Sequence, residues 1–318
     1  MAQEQKTPFP VSFLAPLFVF VLVTLPTFAA VAPIFLVEST PLRLAAIALM
    51  PVIYCASFVG FAAALSYPFQ KAIVQGKFPR DVTHVIYGPR KLYGLCWGAV
   101  YYFTPVYYAF MSVPLLKKIL LKSFGYVSDL DAVIAPDAWL RDLPMLRFKK
   151  GSYVANKATI GTNMCLSDGS IIVDRVGLGE GAMIGHMTMI APGCRIGNKT
   201  EIGGSAVIGI RVQMGIESRV GPRCGVNHGV LIGNGVSVGA MSYIGVKAKI
   251  GDGVEIPSGA SIPEGAELNS KEDAAKYFNS ETQYLKNHLS AVEDIYISRI
   301  AGLTLGGPDP TRKMGDSR

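Results

Sequence analysis

The chain has 318 residues, half of them apolar and 17% charged, with a net charge of +7 and a mean hydropathy of +0.34. No Arg/Lys patch is interleaved with base-stacking aromatics, which argues against nucleic acid and leaves a bilayer surface or an anionic small molecule as the partner of the basic charge. The five cysteines (Cys55, Cys96, Cys165, Cys194, Cys224) form neither a CxxC pair nor a disulfide framework, as in a chain kept in a reducing compartment.

In chain order, the apolar excess comes first. Val11 to Val37 and Leu44 to Phe69 are uncharged runs of 27 and 26 residues, each longer than the roughly 20 needed to cross a bilayer as a helix. Glu38, Pro41 and Arg43 fall in the tight turn between them. Prolines 16, 26, 33 and 51 are tolerable in membrane helices. Residues 1–70 therefore read as a transmembrane helical hairpin. Lys71, Lys77, Arg80, Arg90 and Lys91 follow the second run, which by the positive-inside rule puts both hairpin ends and everything after them in the cytoplasm. The expected location is a bacterial inner membrane. Residues 71–150 read as juxtamembrane: Leu92 to Leu116 is uncharged and holds Trp97, Tyr93, Tyr101, Tyr102, Tyr107 and Tyr108, an aromatic density expected of interfacial or re-entrant helices at headgroup level, with a third span as the alternative.

From Val154 to Leu268, every sixth residue is aliphatic or Met, twenty positions without a slip. Gly usually follows, and the residue two before is usually small, as at Ala158, Cys194 and Ser218. A period of six fits neither a free helix nor a free strand. It fits short strands that turn every six residues, three hexads to a triangular coil, so residues 151–268 are expected to be a parallel β-helix of nearly seven coils. Ser270-Lys-Glu-Asp273 resembles a capping box opening a C-terminal helix over 269–305, and 306–318 read as a disordered tail.

This pattern resembles the bacterial hexapeptide-repeat transferases, among them UDP-N-acetylglucosamine acyltransferase, serine acetyltransferase and nucleotide-sugar N-acetyltransferases. The resemblance implies a left-handed helix, a homotrimer, and acyl-CoA (acetyl-CoA) or acyl-carrier protein as co-substrate, with no permanently bound cofactor. It implies direct acyl transfer by a histidine base, here onto a membrane-presented glycan or lipid-linked acceptor. Similar halves also end peptide synthetases that polymerise amino acids, so an amide-forming module and a non-catalytic scaffold are the competing readings.

Of the four histidines, His84 and His288 read as surface residues. His186 and His228 each stand two residues after an inward aliphatic, the slot of the family's base in several members. Asn227-His228-Gly-Val-Leu-Ile232-Gly233 resembles the Asn-His-x-x-x-Ile-Gly segment of the nucleotide-sugar enzymes, although Val246 stands one coil on from His228 where that family often has the Gly whose amide binds the donor carbonyl. For His186 that coil-mate is Gly204, and Asp168, counted eighteen residues back, is expected to stack beneath it as its orienting carboxylate. Asn227, Gly204, Gly245, Val246, Arg211 and Lys247 are the candidate donor-binding residues. Arg195, Lys199, Arg219, Arg223 and Lys249 complete a basic rim. The γ-class carbonic anhydrases share the fold, but the position of their second ligand after Gly-His is Ala191 here, so no metal site is expected.

Overall fold

The computed structural model describes residues 10–277. Its largest part is a parallel β-helix of three seven-stranded sheets. The first face runs from Val133–Ile134 to Glu255–Ile256, the second from Trp139–Leu140 to Ser261–Ile262, and the third from Leu146–Phe148 to Glu267–Leu268. Each strand pairs in parallel with those one coil below and above, inward residue on inward residue, as in Ile184↔Val154 and Ile184↔Ile202. The inward aliphatics fill the axis: Val154, Ile160, Ile184, Ile244 and Ile262 are fully buried. Each such side chain contributes about 1.5–3 kcal/mol by leaving water.

The small residues at the corners do more than fit. Thr188, Thr200 and Ser218 donate their hydroxyls to the carbonyls of Gly203, Gly215 and Gly233, fifteen residues on, at 2.6–2.7 Å. These three buried hydroxyls are thereby satisfied, as most buried polar groups are, whereas the Ser152 Oγ in the same slot of the second coil is buried without a partner.

The repeat glycines have a different role from the one a strained corner would give them. The Gly after each inward aliphatic keeps an ordinary φ, and its value is close approach: a Cβ on Gly203 or Gly221 would stand 2.5 or 2.6 Å from the backbone nitrogen of the next coil. The left-handed residue lies two positions later, and at nine coil corners it is not Gly, as at Met187, Arg211 and Lys247.

Two irregularities lie beneath the regular count. Residues 163–173 leave the helix as an antiparallel hairpin, Asn163–Cys165 with Ser170–Val173, which is joined by Gly76–Pro79 into a separate three-stranded sheet. The inward position after Ile160 is therefore Leu178, while Leu166 and Ile172 belong to the excursion. Because the step from Ile160 to Leu178 is eighteen residues, twelve more than one hexad, the count kept its phase by length alone. The second irregularity precedes Val154: the first coil, 133–148, was expected to be juxtamembrane. Its inward residues are Ile134, Leu140 and Phe148, and the step across Asp142, a left-handed residue before a 3-10 turn, is eight. That step hides the coil from a period of six.

Before the coils, α1 (Val11–Leu36) and α2 (Thr40–Ser66) form an apolar antiparallel pair, both long enough to cross a membrane. Large side chains on them, such as Phe13, Phe28 and Phe35, are more than 70% exposed. The aromatic stretch is three short helices, α3 (Tyr87–Tyr102), α4 (Thr104–Ser112) and α5 (Pro114–Ser123), with Pro105 and Pro114 at the first turns of the latter two. Three of the six aromatics named above lie in the protein core and not in the expected headgroup belt. Trp97, Tyr93 and Tyr107 are buried on the first coil, where Trp97 donates to the Leu140 carbonyl (2.7 Å) and Tyr93 to that of Phe124 (2.9 Å). An aromatic with a polar tip is equally served by a bilayer interface and by a core that offers a carbonyl; here the core has them. Tyr102 and Tyr108 remain exposed.

At the far end the Ser270 Oγ accepts from the Asp273 amide (3.2 Å), capping α6 (Lys271–Ala275). The rest of the expected C-terminal helix and the tail lie outside the described residues.

The cysteines give a simple check on the packing. Burial pushes the Cys96 and Cys194 thiols up to about 12, whereas Cys165 is exposed on the hairpin. Thiolate is the reactive form, so iodoacetamide at pH 8 is expected to alkylate Cys165 in the folded chain and to reach Cys96 and Cys194 only after denaturation. Native alkylation of Cys194 would contradict this packing.

Candidate active site

The three faces meet at three edges, and the edges sort the residues singled out in the sequence. His186 and Gly204 lie on the first edge, between the first and second faces. Asn227, His228, Gly245, Val246, Lys247 and Arg211 lie along the second edge, between the second and third. His186 belongs to the third coil and His228 to the fifth, so within one chain they form two separate candidate centres.

The edges follow a hydrogen-bonding rule. The amide two residues after an inward aliphatic has no backbone partner, and a side chain one coil on takes it: Asn198 Oδ1 accepts from Glu180, Asn234 from Ile216, and Asp252 from Asn234, at 2.7–3.0 Å. His228 obeys the same rule. Its Nδ1 accepts from the Ile210 amide at 2.9 Å, over Gly209, where a Cβ would strike that nitrogen. A neutral imidazole that accepts at Nδ1 carries its proton on Nε2. In this arrangement His228 presents a donor to solvent and no basic lone pair. Asn227 beside it donates to the Tyr243 hydroxyl (2.8 Å).

His186 is exposed, and its ring has no hydrogen-bond partner among the described residues. Above it stands Gly204, with its Cα edge against the His186 carbonyl, which the Ser205 amide reaches at 2.7 Å. The residue above Gly204 is Pro222, since Arg223 donates to the Gly204 carbonyl. Proline brings no side-chain acceptor, and the Gly204 N–H is left without one among the described residues. A free imidazole and a free amide on adjacent coils are the two groups acyl transfer needs, a base and an oxyanion donor.

Asp168 does not stack beneath His186. It lies in the turn of the protruding hairpin, where Lys77 Nζ pairs with it at 2.5 Å and the Ser170 amide donates at 3.0 Å. The Lys77 hydrogen bond, then those from Ser170, hold its carboxyl far below the usual range. The coil-mate beneath His186 is Asn156, whose carbonyl takes the Met187 amide. The twelve-residue excursion moved Asp168 out of the slot that counting assigns it.

Arg211 is committed to Asp174 (Nε to Oδ2, 3.1 Å). Burial alone would raise the Asp174 carboxyl, and hydrogen bonds from Gln75 and Arg211 outweigh it, leaving it below its usual value. This pair lies in a cleft of about 570 Å³ on the third face, with Arg147, Lys149, Arg175 and Arg195 in its wall. The rest of the rim is largely tied coil to coil, Lys199 to Glu217, Arg219 to Glu201 and Lys249 to Glu267. Sequence reasoning missed Asp142 and Arg90, a buried ion pair between α3 and the first coil. Its signal was available: Asp142 is where the count of six fails when run back from Val154 through Phe148.

No family model and no curated protein matches the chain. Among solved structures, the chain is similar to a mutant perosamine N-acetyltransferase from Caulobacter crescentus in complex with CoA and GDP-perosamine. The match has 22% identity over 45% of this chain, a TM-score of 0.25, and spans 60% of that protein's length. Serine acetyltransferase from Neisseria gonorrhoeae in complex with serine matches at 15% identity over 79% of this chain and 84% of that one (TM-score 0.24). UDP-N-acetylglucosamine acyltransferase from Campylobacter jejuni matches at 16% identity over 57% and 86% (TM-score 0.19).

Proposed function

We propose that the chain is a membrane-anchored acyltransferase that moves an acyl group from a thioester, acetyl-CoA or an acyl-carrier protein, to a hydroxyl or amine presented at the cytoplasmic face of the bilayer. The observation that carries this reading is the pairing of an unencumbered His186 imidazole with an unclaimed Gly204 amide one coil away. The acceptor's X–H attacks the thioester carbonyl while His186 takes its proton. The Gly204 N–H faces the oxyanion, and collapse expels the thiolate, which regains a proton from the imidazolium. No covalent enzyme intermediate is required. The exposed apolar pair α1 and α2 supports the anchor, and the cations after it support the cytoplasmic orientation. Turnover of acetyl-CoA by the detergent-solubilised chain, lost in His186→Ala, tests the reading.

Assembly has its own support. The outward positions of the second face above the first coil are Thr159, Met189, Val207, Gly225, Tyr243 and Ser261, without a charge. The first face presents Glu201, Arg219 and Glu255 outward, and the third Arg195, Lys249 and Glu267. Met189 and Val207 are about half exposed. A charge-free face flanked by both histidine edges suits a closed symmetric contact. The solubilised protein is expected to weigh three copies, and Val207→Glu is expected to shift it to monomer. A wild-type monomer by mass would exclude a donor site between copies.

A further inference from the structure

A cavity lies where the helical arm meets the first coil. It has a volume of about 590 Å³ and is walled by α3, the N-terminal end of α1, the first coil and the protruding hairpin. Val11 and Ala15 of α1 place it at the end of the apolar pair. Four cations line it, Arg80, Arg90, Lys91 and Arg141, against the single carboxylate of Asp142. Tyr87, Trp97, Tyr102 and Trp139 supply aromatic wall.

The Arg90–Asp142 pair, some 5% exposed, clamps α3 to the coil. Asp142 also accepts from Thr162 (2.5 Å) and Asn163 (3.1 Å). A clamp accounts for one edge of the guanidinium only. The Arg90 Nε is buried with no hydrogen-bond partner, an unmet donor of the kind that asks for an explanation. The ion pairs of the described residues leave Arg80, Lys91 and Arg141 without a carboxylate. Arg80 leans on the Tyr87 hydroxyl, and Lys91 stands 6.0 Å over the Tyr87 ring. Three uncompensated charges around a partly aromatic hollow create a field that selects an anion. The apolar helix α1 in its wall selects one with an acyl or prenyl tail.

We propose that this cavity binds the phosphate headgroup of an anionic membrane lipid, with Arg141, Lys91 and Arg80 reaching the phosphate oxygens and the tail leaving along α1. The twelve-residue excursion then has a purpose, since Asn163, Cys165 and Ile171 form the wall that turns an open groove into a cavity. Binding needs no turnover, so the proposal stands or falls apart from the acyltransferase reading.

The test uses the full chain in nonionic detergent with three probes: dihexanoyl phosphatidic acid, dihexanoyl phosphatidylcholine and inorganic phosphate. The phosphatidic acid is expected to bind at least about tenfold tighter than either other probe, from charge-assisted hydrogen bonds together with the tail. It is also expected to slow alkylation of Cys165. Replacing Arg80, Lys91 and Arg141 together by Ala, all exposed and outside the buried clamp, is expected to cost at least about tenfold in that affinity, whereas Lys199→Ala on the distant coils changes nothing. Arg90→Lys keeps a charge for Asp142 and removes the Nε donor, and should also weaken binding. Equal affinity in the triple variant overturns the proposal. So does inorganic phosphate binding as tightly as the lipid, which makes the cavity a site for soluble anions.

Discussion

His186→Ala is expected to lower kcat for acyl transfer by about 10²–10⁴-fold, the usual contribution of one positioned general base, while the KM for the donor changes little. The argument rests on lone pairs. His186 has both ring nitrogens free among the described residues, and Gly204 offers an amide one coil above. His228 has Nδ1 occupied by the Ile210 amide at 2.9 Å, which fixes the proton on the nitrogen that faces out. His228→Ala should therefore keep turnover and lose stability, by about 1 kcal/mol for one edge hydrogen bond. His228→Asn should recover that stability, because Asn234 and Asn198 perform the same task at equivalent corners. Asp168→Asn is expected to leave turnover unchanged, since the carboxylate is engaged by Lys77 on the hairpin. Steady-state kinetics on the four variants separate the cases. Full turnover in His186→Ala beside a collapse in His228→Ala would transfer the base to the second edge, and full turnover in both would favour the scaffold reading.

Asp142→Asn is expected to destabilise the fold by about 3–5 kcal/mol, because it strands the buried Arg90 guanidinium without its counter-ion. Asn is at home in the left-handed conformation that residue 142 adopts (φ 48°), so the loss reports charge rather than backbone strain. Thr162 still finds an acceptor in the amide oxygen, which narrows the cause further. Urea unfolding in detergent measures it, and Arg90→Met combined with Asp142→Asn is expected to regain part of the loss by removing the stranded charge. A midpoint for Asp142→Asn equal to that of the wild type would mean that the pair does not hold α3 to the coil.

The period of six was decisive because it is a local rule with a packing cause. Each inward aliphatic fills one side of a triangle, and no other regular element repeats that way. From it came the parallel coils, the buried corners at Ala158, Cys194 and Ser218, and the stacking of Gly204 over His186. The two long apolar runs were equally legible, since twenty or more uncharged residues have few other uses. Where the count was blind, the cause was again physical. A twelve-residue excursion is two hexads long, so Leu166 and Ile172 kept the rhythm while leaving the helix, and Asp168 left with them. An eight-residue step at Asp142 hid a whole coil.

What only the tertiary structure decided is what depends on contacts between distant segments. Composition describes Trp97 and Tyr93 as amphipathic aromatics, equally suited to a bilayer interface and to a core; the carbonyls of Leu140 and Phe124 placed them in the core. The two histidines are equivalent by spacing and become distinct only when Ile210 donates to one of them. Arg90 reads as one more juxtamembrane cation until Asp142 is brought beside it from 52 residues away. The sequence by itself determined the repeat, the coil and the apolar arm, because burial and chain geometry act residue by residue. Which lone pair is free, which charge is buried and which wall closes a cavity were decided by folding, because each is a relation between residues that the chain order keeps apart.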